Sequence, residues 1–391
     1  MTDSCQPDLQ PRLLMLIPHL GGGGAEQVIA MLARGLNTQK YEIHLALITQ
    51  NGQAPEIISA RIPASVTVHP LGAHRVRSAA YPVLRLIRRI RPQLILSGMF
   101  HLNFLILLLR PLFNFPVRIL IRQNGTASSA LKEIPSYNRF LYRMLYPRAD
   151  CVLCQSASMV RDLHNSFAIP ESRLSVLPNP IDSAAICSTN PAPATVWPNS
   201  GPHLLAVGRL SREKGFDILL KSFSIIRRQF PSADLLIAGT GSEESSLRAL
   251  CSTLSLDSAV RFLGHVQSPA AYFPTASLFV LSSRHEGLPN ALLEAAAAGM
   301  PIVSTPASDG LVELIREQPG VWLVSATIVE ALAHTLTRAL DALAPGQRFQ
   351  HGFMAPYRLD SAISAWEALF DRFLASRPTN SDSGKPRPVR P

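Results

Sequence analysis

With 391 residues, 42.6 kDa, 47% hydrophobic and 16% charged side chains, the chain is too apolar to be disordered and, at about 150 residues per domain, long enough for two or three domains. Its 5 cysteines are too few for a disulfide scaffold and fit a reducing compartment. No apolar run reaches the roughly 18 residues of a spanning helix, and residues 1–11, with Asp3 and Asp8, lack the apolar core of a signal peptide, so a cytoplasmic protein is expected.

The net charge of +10 is unevenly placed. Residues 1–182 carry 19 Lys and Arg against 10 Asp and Glu, and residues 183–391 carry 18 against 17. Between Glu56 and Glu133 stand 11 basic residues and no acidic one, including Arg75, Arg77, Arg85, Arg88, Arg89, Arg91, Arg110, Arg118 and Arg122. The same stretch holds apolar runs at 104–109 and 112–115. Basic side chains beside exposed apolar surface suit an anionic membrane face, where each cation contributes on the order of 1 kcal/mol. A solvated basic face over ordinary core segments ranks second. Nucleic acid is a distant third, because neither interleaved aromatics nor a nucleic-acid motif is visible.

In chain order, an apolar run at 13–17 ends in Pro18 and is followed by four glycines, Gly21, Gly22, Gly23 and Gly24. A helical pattern through Val28, Ile29, Leu32 and Leu36 comes next, giving strand, glycine turn, helix. Further strands are expected at 43–47, 66–69, 94–97, 118–121, 149–154 and 174–177, with helical segments between most of them, as in parallel βαβ units. Residues 183–202 break the pattern with Pro191, Pro193, Pro198 and Pro202 among Ser, Thr and Asn, as a linker would. A second series of strands follows at 204–207, 234–238, 260–263, 277–281, 301–304 and 321–324, with helices at 217–228, 243–254, 326–343 and 361–375. The proline-rich tail, 376–391, is expected to be disordered. The fold class is therefore α/β, two Rossmann-like doubly wound domains at 1–182 and 183–360. Helix 361–375, with Trp366 and Phe370, is expected to cross back to the first domain, and the ligand position is the cleft between the two.

The segment from Ser282 to Gly299 carries the most chemistry. A strand ends in the polar loop Ser283-Arg284-His285-Glu286-Gly287-Leu288-Pro289-Asn290, and a helix starts near Pro289 or Asn290 and stops at Gly299. Between Ala291 and Ala298 the helix has one polar residue, Glu294, so it should be buried on every side. A lone buried carboxylate is costly without partners. Tilted back toward the helix start, Glu294 can meet ligand hydroxyls or accept from protein donors, and Glu286 eight residues earlier favours a ligand. Free amides at the helix start suit a phosphate. After the first strand of the second series stand Gly208, Arg209 and, further on, Lys214 and Gly215. Arg209 and Lys214 can converge on a pyrophosphate, one as a planar fork and one as a point charge; alternatively both are exposed, with one cation paired to Glu213.

In the first half, the glycines 21–24 let a phosphate or sugar approach the backbone, but Glu26 stands where a dinucleotide fingerprint needs its third glycine, so a nicotinamide cofactor is not expected. His101, expected in a loop at 98–102 after a strand, is placed either structurally or near the chemistry. Arg122 and Asn124, after the next strand, are equally open for a cleft role. Cys151 and Cys154, three apart in a strand, face opposite sides and belong to the core rather than to a metal or redox pair.

Glu286 and Glu294 at this spacing, the run Glu286-Gly287-Leu288-Pro289-Asn290, and the earlier Gly208-Arg209-Leu210 with Lys214-Gly215 resemble the retaining glycosyltransferases of family 4, which have the GT-B fold. The resemblance covers residues 12–373. It implies a nucleotide-sugar donor held mainly by the second domain and a lipid-linked or glycan acceptor held by the first. It further implies that Arg209 and Lys214 hold the donor diphosphate, Glu294 the ribose hydroxyls, and Glu286 the donor sugar. Backbone at Gly287, Leu288, Pro289 and Asn290 would contact sugar and phosphate, Gly239 and Gly241 would form the glycine turn near the nucleotide, and the base would lie by residues 261–266. His101 would sit near the donor sugar and acceptor hydroxyl, and Gly21 and Gly22 would approach the donor across the cleft. Residues 179–182 look like the family's interdomain hinge.

The activity expected is sugar transfer, with retention, from a nucleotide diphosphate, UDP foremost, to a membrane-lipid-linked or glycan acceptor in cell-surface polysaccharide, lipopolysaccharide or glycolipid synthesis. It needs no metal and no cofactor, takes no nucleic acid, and places the protein peripherally at the inner face of the cytoplasmic membrane. The competing assignments are a nucleotide-sugar epimerase or hydrolase on the same architecture, and a non-catalytic nucleotide-binding assembly subunit. Fold alone does not choose among them.

Overall fold

The computed structural model describes residues 10–20, 23–49, 62–130 and 137–376. Gly21, Gly22 and the tail 377–391 lie outside the described residues. The first half forms a seven-stranded parallel sheet from β1 (Arg12–Ile17), β2 (Glu42–Leu47), β3 (Thr67–Pro70), β4 (Leu94–Ser97), β5 (Arg118–Arg122), β6 (Cys151–Cys154) and β7 (Leu174–Val176), in the order β3-β2-β1-β4-β5-β6-β7. The second half forms a six-stranded parallel sheet from β8 (His203–Val207), β9 (Asp234–Ala238), β10 (Val260–Gly264), β11 (Leu278–Leu281), β12 (Ile302–Ser304) and β13 (Val321–Leu323), in the order β10-β9-β8-β11-β12-β13.

Strands buried on both faces read as unbroken apolar runs, and alternation divides them between two cores. In β1, Leu14 and Leu16 enter one cluster while Leu13, Met15 and Ile17 enter the other. Cys151 and Cys154 are likewise buried in opposite clusters.

Each sheet reverses its winding once, between β1 and β4 and between β8 and β11. Connections leave those neighbouring strands toward opposite faces, which opens a crevice at the strands' carboxyl ends. The first half carries helices α1 (Gly24–Gly35), α2 (Ala80–Ile90), α3 (Phe100–Leu109), α4 (Tyr137–Leu145) and α5 (Ala157–Phe167), of which α1 edges the crevice. In the second half α6 (Ser183–Cys187), α7 (Phe216–Ile226), α8 (Glu244–Thr253), α9 (Asn290–Ala297), α10 (Asp309–Ile315) and α11 (Val329–Ala342) surround the sheet.

The expected loop at 98–102 is corrected: α3 begins at Phe100, and the Asn103 amide donates to the Met99 carbonyl at 2.8 Å. No side-chain cap marks that start, and beyond His101 and Asn103 α3 is apolar throughout. The last helix, α12 (Leu359–Ala375), lies on the first half. Trp366 is fully buried there and its Nε1 donates to the Pro178 carbonyl at 3.0 Å. Ile363, Leu369 and Phe370 join the same core as β1 and α1. At the helix's far end Lys40 pairs with Asp371 at 2.5 Å.

Candidate active site in the interlobe cleft

A cleft of about 890 Å³ lies between the halves and is lined by both. Its second-half wall is made of three loops held together by backbone contacts. Gly239 has φ +144, and a Cβ there would stand 1.9 Å from the Gly208 carbonyl oxygen; one on Gly241 would stand 2.2 Å from that of Leu210. The glycine turn after β9 is therefore what lets it lie against the loop after β8. Gly215, with φ +64, approaches the Ser282 carbonyl as closely, its added Cβ at 2.1 Å. Ser282 Oγ donates to the Lys214 carbonyl at 2.9 Å, and the Arg284 guanidinium holds Asp217 through two 2.7 Å bonds.

This stitching brings Lys214 to Glu286. Nζ lies 2.5 Å from Oε1, and Ser283 Oγ donates to the same oxygen at 2.7 Å. Arg209 is exposed beside them in the cleft and has no acidic partner among the described residues. One turn into α9, Glu294 also lines the cleft. Its carboxyl makes no hydrogen bond among the described residues, and burial pushes its pKa up from 4.5 to about 7. An unsatisfied, desolvated acceptor facing a cavity awaits hydroxyl donors.

Of the residues singled out from sequence, Gly208, Arg209, Lys214, Gly239, Glu286, Gly287, Pro289, Asn290 and Glu294 line this one cavity. Leu288 does not; it is buried and its amide donates to Gln155 Oε1 of the first half at 3.0 Å. Gly241 supports the turn from behind. His101 is exposed on the first turn of α3, against the Phe100 ring, next to Met99, which lines the cleft while His101 does not. His265 and Val266 line the cleft near β10, whereas Arg261 donates to the Thr195 carbonyl away from it.

The first-half wall holds Glu26 and Gln27, which local pattern did not single out as ligand groups, and it separates the roles of Asn124 and Arg122, which the sequence left open. Glu26, read only as a spoiled fingerprint, is buried and lines the cleft with Gln27. Asn124 also lines it, donating to the Gly98 carbonyl at 2.5 Å while its Oδ1 stays unpartnered. Arg122 instead turns inward: it is fully buried, its Nη2 donates to Asn179 Oδ1 at 2.7 Å, and burial lowers its pKa to about 10. Asn179 Nδ2 then donates to Asn290 Oδ1 at 2.7 Å, and Asn290 Nδ2 to the Gly24 carbonyl at 2.9 Å. A single polar chain thus runs from one lobe, through the segment joining them, to the start of α9 and back. Among the described residues no cluster of three or more His, Cys, Asp or Glu is placed to hold a metal.

Residues 22–185 match the model of Glycosyltransferase Family 4, and residues 201–342 match that of Glycosyl transferases group 1. The chain belongs to these glycosyltransferases, transferase enzymes with the two-lobed GT-B fold. Among similar proteins is the N-acetylgalactosamine-N,N'-diacetylbacillosaminyl-diphospho-undecaprenol 4-alpha-N-acetylgalactosaminyltransferase of Campylobacter jejuni, 28% identical over 84% of this chain and 90% of its own length. An uncharacterised glycosyltransferase of Methanocaldococcus jannaschii is 26% identical over 62% of each chain, so the match spans under two thirds of that relative. The crystal structure of Anabaena HepE in complex with UDP and glucose superposes with a TM-score of 0.78 at 15% identity, over 93% of this chain and 100% of that one.

Proposed function

We propose that the protein transfers a sugar, with retention, from a UDP-sugar to a lipid-linked or glycan acceptor, the second lobe holding the donor and the first the acceptor. The observation that carries this is the meeting of Arg209, Lys214, Glu286 and the unpartnered Glu294 in one interlobe cavity. Arg209 and Lys214 neutralise the donor diphosphate. An arriving phosphate competes with Glu286 for Lys214, and the freed Glu286 accepts from sugar hydroxyls. Glu294 accepts from the ribose. In the transfer itself the acceptor oxygen bonds to the anomeric carbon on the face from which the diphosphate departs. The bond from that carbon to the diphosphate oxygen breaks, and the acceptor proton passes to the leaving phosphate, whose developing charge the two cations stabilise. Support for the donor comes from the UDP bound by the Anabaena neighbour. For the acceptor it comes from the diphospho-undecaprenol in the Campylobacter relative's name and from a lipopolysaccharide core glycosyltransferase of Rhizobium meliloti, 27% identical over 50% of this chain. Among the described residues no helix is long and apolar enough to cross a membrane. In this reading the protein works peripherally at the inner face of the cytoplasmic membrane, where a lipid-linked acceptor would be presented.

The test is a thermal-shift screen of UDP- and GDP-sugars, followed by transfer from the best donor to membrane extract and assignment of the product anomer. Stabilisation by UDP-sugars and acceptor-dependent release of UDP with retained configuration is the expected result. Donor turnover without any acceptor would instead indicate a hydrolase or epimerase.

A further inference from the structure

The first wall of the cleft presents hydrogen-bond acceptors that the protein itself leaves unused. Glu26 is only 7% exposed, lines the cavity, and has neither an ion-pair nor a hydrogen-bond partner among the described residues. It stands in the first turn of α1, and Gly23, just before that helix, makes room for it: a Cβ on Gly23 would lie 2.4 Å from Glu26 Oε2. Gly23 has φ −70, which any residue adopts, so what a side chain there would violate is space. The helix dipole favours a carboxylate in a first turn, but it does so on the surface too and does not account for the burial of this one in a cavity. Asn124 repeats the pattern. Its Nδ2 donates to the Gly98 carbonyl, which fixes the amide's orientation and leaves the buried Oδ1 without a partner.

Buried acceptors without partners are satisfied by donors. Sugar hydroxyls and acetamido N–H groups donate, whereas an ionised carboxylate or phosphate only accepts. An anion on this wall would also face Glu26 with no cation beside it. Among the described cleft-lining residues the only Lys and Arg are Lys214 and Arg209 of the opposite wall, which the donor diphosphate takes. The start of α1 is tied to that wall, Asn290 Nδ2 donating to the Gly24 carbonyl at 2.9 Å, so Glu26 stands two residues from where the walls meet. We propose that Glu26, with Asn124, positions the acceptor by its sugar hydroxyls, and that the residue receiving the transfer is an uncharged sugar bearing neither phosphate nor carboxylate. Any diphosphate of a lipid-linked acceptor then lies outside the cleft, at least one sugar away from the reacting hydroxyl. This rests on the transferase activity proposed above.

The test uses the full chain, the best UDP-sugar of the screen and membrane extract. The product is isolated, and the sugar carrying the new linkage is identified by methylation analysis and mass spectrometry. A neutral hexose or N-acetylhexosamine is expected there. A phosphorylated sugar, a uronic acid or a lipid phosphate in its place overturns the proposal while leaving the transferase activity standing. With acceptor purified from the same extract, Glu26→Gln should raise the acceptor KM roughly tenfold, with a smaller change in kcat and unchanged UDP affinity by calorimetry. Gly23→Ala keeps the carboxylate but displaces it, and should raise the same KM by about threefold or more, again without weakening UDP. A wild-type acceptor KM in both variants overturns the proposal. So does a loss confined to UDP-sugar affinity, since Glu26 would then serve the donor. UDP affinity without transfer to any component of the extract removes the transferase activity and this assignment with it.

Discussion

The two cleft walls share one doubly wound plan and differ in chemistry. The first lobe holds nearly all of the net charge, yet among its described cleft-lining residues the only Asp, Glu, Lys or Arg is Glu26. The second lobe is close to neutral, yet it places Arg209, Lys214, Glu213, Glu286 and Glu294 in the cavity. Net charge of a lobe therefore does not locate its anion site. What matters is where loops at the carboxyl edge of the sheet make cations converge, and on the second lobe glycine contacts force that convergence. Removing those two cations is the sharpest way to break the comparison. Arg209→Ala and Lys214→Ala should each lower kcat on the order of a hundred- to a thousandfold, as loss of a transition-state donor does, with Tm nearly unchanged. Arg77→Ala, which removes an equal charge from the first lobe outside the cleft, should leave turnover and nucleotide affinity alone. Equal effects of the three in steady-state kinetics would show that bulk charge, not convergence, draws the donor.

Glu294 sharpens the same contrast through pH. Its folded-state pKa of about 7 lies above the ordinary 4.5, so the donor-free fold favours the protonated form. The contribution is thus fully present below about pH 4.5 and lost as pH rises through about 7, where the carboxylate stays charged in a desolvated site. Glu294→Gln should therefore stabilise the donor-free protein at pH 8, by up to about 3 kcal/mol, and by almost nothing at pH 4.5. Paired Tm measurements at the two pH values check this. Ribose hydroxyls donating to Glu294 would favour the charged form, so affinity for a UDP-sugar, whose phosphodiesters do not titrate here, should rise from pH 6 to pH 8 in the wild type and stay flat in Glu294→Gln. A stability difference independent of pH would remove the buried charge from the account.

The glycines give a smaller, purely structural version of the contrast. Gly239→Ala drives a Cβ into the Gly208 carbonyl from a left-handed backbone and should cost about 2 kcal/mol or more by chemical denaturation. Gly125→Ala, on the opposite wall, where an added Cβ meets nothing within 4 Å, should change stability by no more than about 0.5 kcal/mol.

The strands were legible because runs such as Leu13 to Ile17 and Leu278 to Leu281 are apolar and end at proline, glycine or a polar loop, which is what doubly buried parallel strands need. The residues of the second wall were legible too, since Gly208 to Gly215 and Glu286 to Glu294 are contiguous segments of unusual composition. Partnerships were not. Lys214 and Glu286 are 72 positions apart and meet only because β8 and β11 are neighbours; Arg122 finds Asn179 across 57. Local periodicity carries no information on such pairs. The start of α3 was missed for a different reason: a helix apolar almost throughout has no amphipathic stripe to announce where it begins.

Asn290 joins the two walls, so its substitution tests whether the contrast depends on their being held together. Its amide is used in both senses, Nδ2 donating to the Gly24 carbonyl and Oδ1 accepting from Asn179, and Asn179 is in turn fixed by the buried Arg122. Asn290→Ala deletes two bonds of about 1 kcal/mol each, leaving the lobes freer to part and the donor site less often assembled. KM for the donor should rise several-fold while kcat changes less. Asn290→Asp should be worse than Ala, because a carboxylate placed against the Gly24 carbonyl repels it where the amide attracted it. Solution scattering should register the loosening as a larger radius of gyration in both variants, reversed by saturating donor. A wild-type KM in Asn290→Asp would mean that the walls act independently and that the polar chain between them serves only to pack the hinge.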